Sequence, residues 1–302
     1  MSTQVEDASE LHGDAAEGLP EQARVGAVHL QTSDWERSVE YYRVVLGMDV
    51  LQRGPDRAAL GVRGTAPLIY LVEKKGVAAV PRRGRFGLFH FAVLLPDRSA
   101  LGRFAAHVLR LGLRPGMADH AVSEALYLSD PDGLGIEVYA DRPRTSWAYR
   151  GEELVMTTDP LDLADLIDAG GVRDWSGAPD GTTIGHVHLH VGDLSAAKAF
   201  YHGALGFDVT VWSYSGALFF SAGRYHHHLG TNTWSPGPSA GADEAKLLEW
   251  ELVVPEHRHT KHIGERLRSA GYPLHEAPDG VRTSDPWGTR VYVKAEKPTR
   301  IA

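Results

Sequence analysis

The sequence predicts an α+β protein made of four βαβββ modules, and three observations lead there. Two segments repeat one another closely: Val25–Asp34 reads VGAVHLQTSD and Ile184–Asp193 reads IGHVHLHVGD, each running into an amphipathic helix. A second pair is more divergent, with Phe89–Pro96 (FHFAVLLP) set against Leu248–Pro255 (LEWELVVP). The units that this second pair opens both close on one turn, Ser129-Asp-Pro-Asp-Gly133 and Ser284-Asp-Pro-Trp-Gly288. The modules therefore begin near residues 25, 87, 184 and 246.

In the first module the opening strand leads into WERSVEYYRVVLG, where Val39, Tyr42, Val45 and Leu46 form one apolar stripe. Ser33 with Glu36 makes a capping-box pattern at its start, and Gly47 stands where a C-terminal cap belongs. Strands are expected over Gly47–Arg53, Arg57–Val62 and Pro67–Glu73. In the second module Leu101, Phe104, Val108 and Leu111 fall on one helix face. Its last two strands, Ala125–Ser129 and Leu134–Tyr139, flank the Asp-Pro-Asp-Gly turn. Alternation sends Glu137 and Tyr139 to one face and Ile136 and Val138 to the other. A carboxylate in so apolar a strand needs a cation or an edge position, because burying it unpaired is costly.

The third module continues from IGHVHLHVGD into the helix LSAAKAFYHGALG. Parity puts His188 and His190 on the face of His186, as pocket-lining or structural residues. Its last strand is expected to carry Tyr225–Gly230, with His226 and His228 on the face opposite His227. The helix of the fourth module ends at Ala270-Gly271. The organisation is thus an acidic tail over 1–23 with no Lys or Arg, expected to be disordered; an N-terminal module pair over 24–142; a connector over 143–181; and a C-terminal pair over 182–296. The connector has Gly/Pro-rich flanks and one helix, expected over Pro160–Ala169.

With 302 residues, 43% of them hydrophobic, the chain can bury cores of ordinary density. Its net charge of −8 argues against a nucleic-acid or anionic-membrane partner. It has no apolar run near the ~18 residues of a membrane helix and no signal peptide, so a soluble cytoplasmic protein is expected. Cys is absent, so any metal site must use nitrogen and oxygen ligands, and the 16 His are the compositional outlier.

Four such units carrying HFAVLLP, DHAVSEALYLSDPDGLGIEVYADRPR and YHHHLGTNTW resemble the vicinal oxygen chelate superfamily. Within it they are similar to the catechol 2,3-dioxygenase-like extradiol ring-cleavage enzymes, over Arg24–Asp141 and Thr182–Lys294. The resemblance implies the glyoxalase/bleomycin resistance/extradiol dioxygenase fold, in which paired modules curl into open, bowl-like barrels with one divalent metal on a bowl floor. Ligands come from the first strand of one module and the first and last strands of its partner. The matching first-strand positions are Ala27, His90, His186 and Glu249, and the last-strand positions are Glu137 and Tyr292. Pairing modules two and three gathers His90, His186 and Glu137; pairing one and four leaves Ala27, Glu249 and Tyr292. The first set is a two-His, one-carboxylate triad suited to non-haem Fe(II), and it accepts Mn(II) as well. The expected architecture is therefore one metal-holding bowl from modules two and three, and a structural twin, with His29 in the emptier half.

The resemblance also implies further roles. His227 matches the acid/base histidine, Tyr127 a tyrosine that hydrogen-bonds a substrate oxygen, and His120 a histidine on the O2 side. His188, if it lines the pocket, would contact substrate. The implied partners are a small aromatic diol and O2, and a homo-oligomer is compatible with the sequence. Two other functions fit the fold. A glyoxalase-like metal-dependent isomerase or lyase would complete a fourth protein ligand. A metal-free, drug-resistance type binding protein would have no need of the triad.

Overall fold

The computed structural model describes residues 18–81 and 83–296. The first module comprises β1 (Arg24–Thr32), α1 (Trp35–Val44), β2 (Asp49–Arg53), β3 (Arg57–Gly61) and β4 (Ile69–Glu73). The second comprises β5 (Gly87–Leu94), α2 (Arg98–Arg110), β6 (Gly116–Asp119), β7 (Ser123–Ser129) and β8 (Gly135–Asp141). The connector holds β9 (Tyr149–Arg150), β10 (Glu153–Leu154) and α3 (Leu163–Gly170). The third module runs through β11 (Thr183–His190), α4 (Leu194–Lys198), β12 (Asp208–Val211), β13 (Ala217–Ser221) and β14 (Leu229–Asn232). The fourth comprises β15 (Lys246–Val254), α5 (His257–Ser269), β16 (His275–Ala277), β17 (Gly280–Ser284) and β18 (Arg290–Ala295).

Two curled eight-stranded sheets result. One has the order β12-β13-β14-β11-β5-β8-β7-β6 and joins module three to module two. The other has the order β16-β17-β18-β15-β1-β4-β3-β2 and joins module four to module one. The opening strands of partner modules meet antiparallel at each sheet centre, β11 on β5 and β1 on β15. Their outward residues share one core: Val28 and Leu30, Phe91 and Val93, Val187 and Leu189, Trp250 and Leu252 are all buried together. Alternation leaves the residues between them, among them His90, Ala92, His186 and His188, on the inner face of their bowl.

Aspartates start four of the helices by accepting from the N3 backbone N–H: Asp34 from Arg37, Asp97 from Ala100, Asp162 from Asp165 and Asp193 from Ala196. The capping-box reading of Ser33 is therefore displaced by one residue. Ser33 instead donates both its N–H and its hydroxyl to Asp132 in the β7–β8 turn, at 2.8 and 2.6 Å. Leu101, Phe104 and Val108 are fully buried as the stripe predicts, but Leu111 is 41% exposed, because α2 has ended before it. The α4 helix widens into a π-helical turn over Ala199–Ala204 that buries Phe200, Tyr201 and Ala204.

The two Asp-Pro turns dock on helices of the preceding module. Tyr42 of α1 donates its hydroxyl to Asp130 at 3.1 Å, and Tyr201 donates to Asp285 at 2.8 Å. Each of these aspartates also accepts two backbone N–H groups of its own turn. Residues 18–23, expected within the disordered tail, are placed against the protein: Leu19 N–H donates to Gly206 O at 2.8 Å and Ala23 is buried. Residues 1–17 lie outside the described residues. Among the described residues no helix is long and apolar enough to cross a membrane.

Candidate metal centre

The register of the β11-β5-β8-β7 strands writes out the site. His186 pairs with Ala92, Ala92 with Glu137, and Glu137 with Tyr127, so these four form one row across the inner face. His188 pairs with His90 in the next row. Ala92, fully buried, keeps the middle of the first row low, so its larger neighbours lean over it. Gly135 serves the second row, since a Cβ there would collide with the carbonyl of Phe89 beside His90.

His90 Nε2 lies 3.0 Å and His186 Nε2 3.3 Å from the same Glu137 oxygen, and the three ligand atoms all fall within 4.8 Å of one another. All three residues are buried. Burial alone would raise the Glu137 carboxyl, but His186 and His90 outweigh it and hold it well below the usual carboxylate range. Burial pushes His186 down to about 4 despite Glu137, so at neutral pH it is an uncharged imidazole. His186 Nδ1 has no hydrogen-bond partner, so the ring is oriented through Nε2 alone. A buried carboxylate met by two imidazole nitrogens, with no Arg or Lys lining the cavity, is a donor set that a divalent cation completes.

The other expected residues surround this centre. Tyr127 packs against His90 at 5.6 Å between ring centroids, and burial and Glu137 push its phenol well above the ordinary value. His120 Nε2 is 2.6 Å from the Tyr127 hydroxyl, and its Nδ1 donates to the carbonyl of Thr157 at 2.6 Å. Thr157 is backbone-bonded to the second module's loop, so the connector crosses the rim of the bowl. His188 stands 5.0 Å from His90 between ring centroids, and its Nε2 accepts from Asn232 Nδ2 at 3.0 Å. All of them line one cavity of about 400 Å3, whereas His190 pairs with Asn232 and lines a neighbouring cavity.

His227 also lines the cavity, 4.1 Å from His186 between ring centroids, but it does not reach it by strand alternation. Residues Tyr225–His228 turn before β14, which starts only at Leu229. His226 Nε2 lies 2.9 Å from Asp141, and its Nδ1 lies 2.7 Å from Nδ1 of His227. In the tautomer where the Asp141 carboxylate takes the one ring proton of His226 at Nε2, His226 Nδ1 is an acceptor and the His227 proton sits on Nδ1. Nε2 of His227 is then the free base. This Asp141–His226 pair escapes a reading by spacing, since Asp141 is 85 residues from its partner. Of the apolar wall, Met117 and Phe219 stand on β6 and β13, whereas Met156 and Trp234 come from the connector and from the segment after β14, which have no repeat to align.

The twin bowl is built differently at the matched positions. Glu249 receives Arg282 at 3.0 Å, and that guanidinium lies over the Tyr292 ring, 3.7 Å from its centroid. Glu251 is held by Lys294 at 2.6 Å, by His29 at 3.3 Å and by the N–H of Ala27 at 2.9 Å. Side chains of this half thus satisfy its own carboxylates.

Two curled sheets of paired βαβββ modules over a His-His-Glu centre define a family, and the chain belongs to it. It is the Glyoxalase/Bleomycin resistance protein/Dioxygenase superfamily, whose profile matches residues 24–138 and 183–294. Within that superfamily the chain is an oxidoreductase of the extradiol dioxygenase kind. It is 42% identical over 273 residues to the catechol-2,3-dioxygenase of Bacillus subtilis (strain 168), a match spanning 89% of this chain and 95% of that protein. A solved protein of Bacillus subtilis subsp. subtilis str. 168, described provisionally as a dioxygenase, superposes with a TM-score of 0.65 at 14% identity. That superposition covers 94% of this chain and 87% of the other. Glyoxalase I from Zea mays superposes with a TM-score of 0.54 at 17% identity, covering 91% and 92%. At such identities the two structures speak for the fold alone.

Proposed function

We propose that the protein is an Fe(II)-dependent enzyme that opens a catecholic ring beside its two hydroxyls, placing both atoms of O2 in the product. The observation that carries this reading is the buried His90–His186–Glu137 group, with ligand atoms within 4.8 Å, on the floor of a cavity that also holds His227, Tyr127 and His120. His90, His186 and Glu137 would hold the ion, and Mn(II) suits the same donors. Bound there, the ion supplies an electron-transfer and Lewis-acid centre on which an aromatic diol and O2 can be brought together.

The chain's own residues supply the rest. Two neutral imidazoles and one carboxylate leave a dication with about one net positive charge, which favours a diol that has lost a proton. Tyr127, kept protonated by burial and by Glu137, gives its proton to His120 Nε2 and so presents its phenol oxygen as an acceptor beside the site. His120 fixes that hydroxyl at 2.6 Å and is itself fixed by Thr157. His227, with its proton held on Nδ1 by the His226–Asp141 pair, presents Nε2 to accept and return a proton. The apolar walls exclude water from the reacting ring.

A glyoxalase-like isomerase would call for a fourth ligand, and among the described residues no further His, Asp or Glu joins the three. The test is anaerobic loading with Fe(II), followed by catechol and a measured pulse of O2. A yellow ring-fission product and one O2 consumed per ring opened are expected. Tight iron binding without O2 uptake would refute the reaction, and unchanged iron stoichiometry in Glu137→Ala would refute the ligand set.

A further inference from the structure

We propose that the wall facing the triad makes this a site for catechols bearing a neutral, apolar ring substituent and shuts out those bearing a carboxylate, with Met156 and Thr158 of the connector among the selecting residues. This rests on the ring-cleavage reading of the same site. The cavity of about 400 Å3 has Glu137 as its one carboxylate and no Arg or Lys in its lining. Of the eight large apolar residues exposed among the described residues, three stand at this one mouth: Phe89, Met117 and Trp234, each about 40% exposed. Apolar side chains gathered at an opening mark it for an apolar ligand.

The polar atoms of that wall are bonded within it, with one hydroxyl proton left over. The hydroxyls of Thr158 and Tyr214 bond one another at 2.7 Å, and Trp234 donates its Nε1–H to the carbonyl of Ser215 at 3.0 Å. A ring held by its two oxygens at the triad turns its far edge to Met117, Met156, Phe219 and Trp234. A carboxylate on that edge would lose water and find no Arg or Lys, and at most the one hydroxyl proton left over by the Thr158–Tyr214 pair, which is costly. A methyl or larger alkyl group there gains apolar contact instead.

Arg83, Arg85 and Arg114 line a neighbouring cavity that reaches only His90 of the triad. Arg85 is paired there with Glu244 at 2.6 Å. A substrate held by His186 and Glu137 and facing His227 lies on the other side of the Phe89–His90–Tyr127 wall, away from those cations.

The experiment compares 4-methylcatechol with 3,4-dihydroxybenzoate on the iron-loaded enzyme. It measures kcat/KM in air and, separately, the rise in melting temperature each diol causes without O2. A kcat/KM for 4-methylcatechol about 10²-fold higher or more, and thermal stabilisation by that diol alone, are expected. In Met156→Arg the benzoate should gain at least about tenfold in kcat/KM, through a cation newly placed on the wall. Equal kcat/KM for the two diols overturns the proposal. So does efficient cleavage of the benzoate that is lost in Arg114→Ala, because the substituent would then sit in the arginine-lined cavity. If neither diol is opened, the ring-cleavage reading fails. The difference in thermal stabilisation still decides whether the site prefers the neutral ring.

Discussion

Asp130→Asn is the perturbation whose outcome the structure fixes most closely. Asp130 is 5% exposed and accepts the N–H groups of Asp132 and Leu134 and the hydroxyl of Tyr42. Burial raises its carboxyl from 3.8 to about 6, more than these donors and despite their opposing pull, with Asp132 adding to the rise. The folded carboxyl therefore keeps its proton up to about pH 6, while the unfolded one loses it near 3.8. Between the two values the folded state binds more protons, so this group favours folding below 3.8 and its contribution is lost as pH rises through 6. At 1.36 kcal/mol per pH unit, the interval amounts to about 3 kcal/mol. Asparagine keeps an oxygen for the two N–H groups and an NH2 that can donate to the Tyr42 oxygen, and it carries no charge at any pH. The variant should gain about 2 kcal/mol on the wild type between pH 4.5 and 7.5, the rest of the interval lying below pH 4.5. The assay is urea unfolding by tryptophan fluorescence, in EDTA, across that range. A difference between variant and wild type that stays constant with pH would refute the reasoning.

Other outcomes follow from the same structure. His227→Phe should retain stoichiometric iron and lower ring-opening turnover by about 10²–10⁴-fold, read by single-turnover kinetics; turnover near wild type removes it from the chemistry. Gly102→Ala places a Cβ against the carbonyl of Leu166 in α3. It should cost about 1–3 kcal/mol in urea unfolding while leaving iron stoichiometry unchanged. Glu251 gives the opposite pH sign from Asp130: burial alone would raise its carboxyl, but His29 and Lys294 hold it at about 2. Its contribution is present above about 4.5 and lost as pH falls toward 2, so Glu251→Gln should be destabilised at neutral pH and approach the wild type in acid.

The triad was legible in the sequence because the repeats superpose. His90 and His186 occupy one position of the module and Glu137 another, and their twins Glu249, Ala27 and Tyr292 are not a ligand set. The pairing of second with third module was legible for the same reason, since only that pairing gathers the three. The cap on α1 was misread by one residue because Ser33 and Asp34 both suit an N-cap, and the choice was made by Asp132, 99 residues away. The segment around His227 read as a strand by its position in the module, yet Tyr225–His228 turns so that His226 can reach Asp141. Met156 and Thr158 were invisible for a different reason. The connector repeats nothing, so no alignment could place it across the rim.

The order of strands in the two sheets has a consequence for what counts as half of this molecule. Each sheet takes one module from before the connector and one from after it. The hydroxyl bonds of Tyr42 to Asp130 and of Tyr201 to Asp285 tie each module to its sequence neighbour instead. The four modules are thus closed in a cycle, held alternately by strand pairing and by a buried tyrosine. Cutting the chain between residues 142 and 182 would leave two fragments that each own half of both bowls and all of neither. Glu137 and His90 would lie on one fragment and His186 on the other. The protein is arranged like two half-length chains that have exchanged partners and are joined by a tether, and the candidate metal centre lies across that exchange.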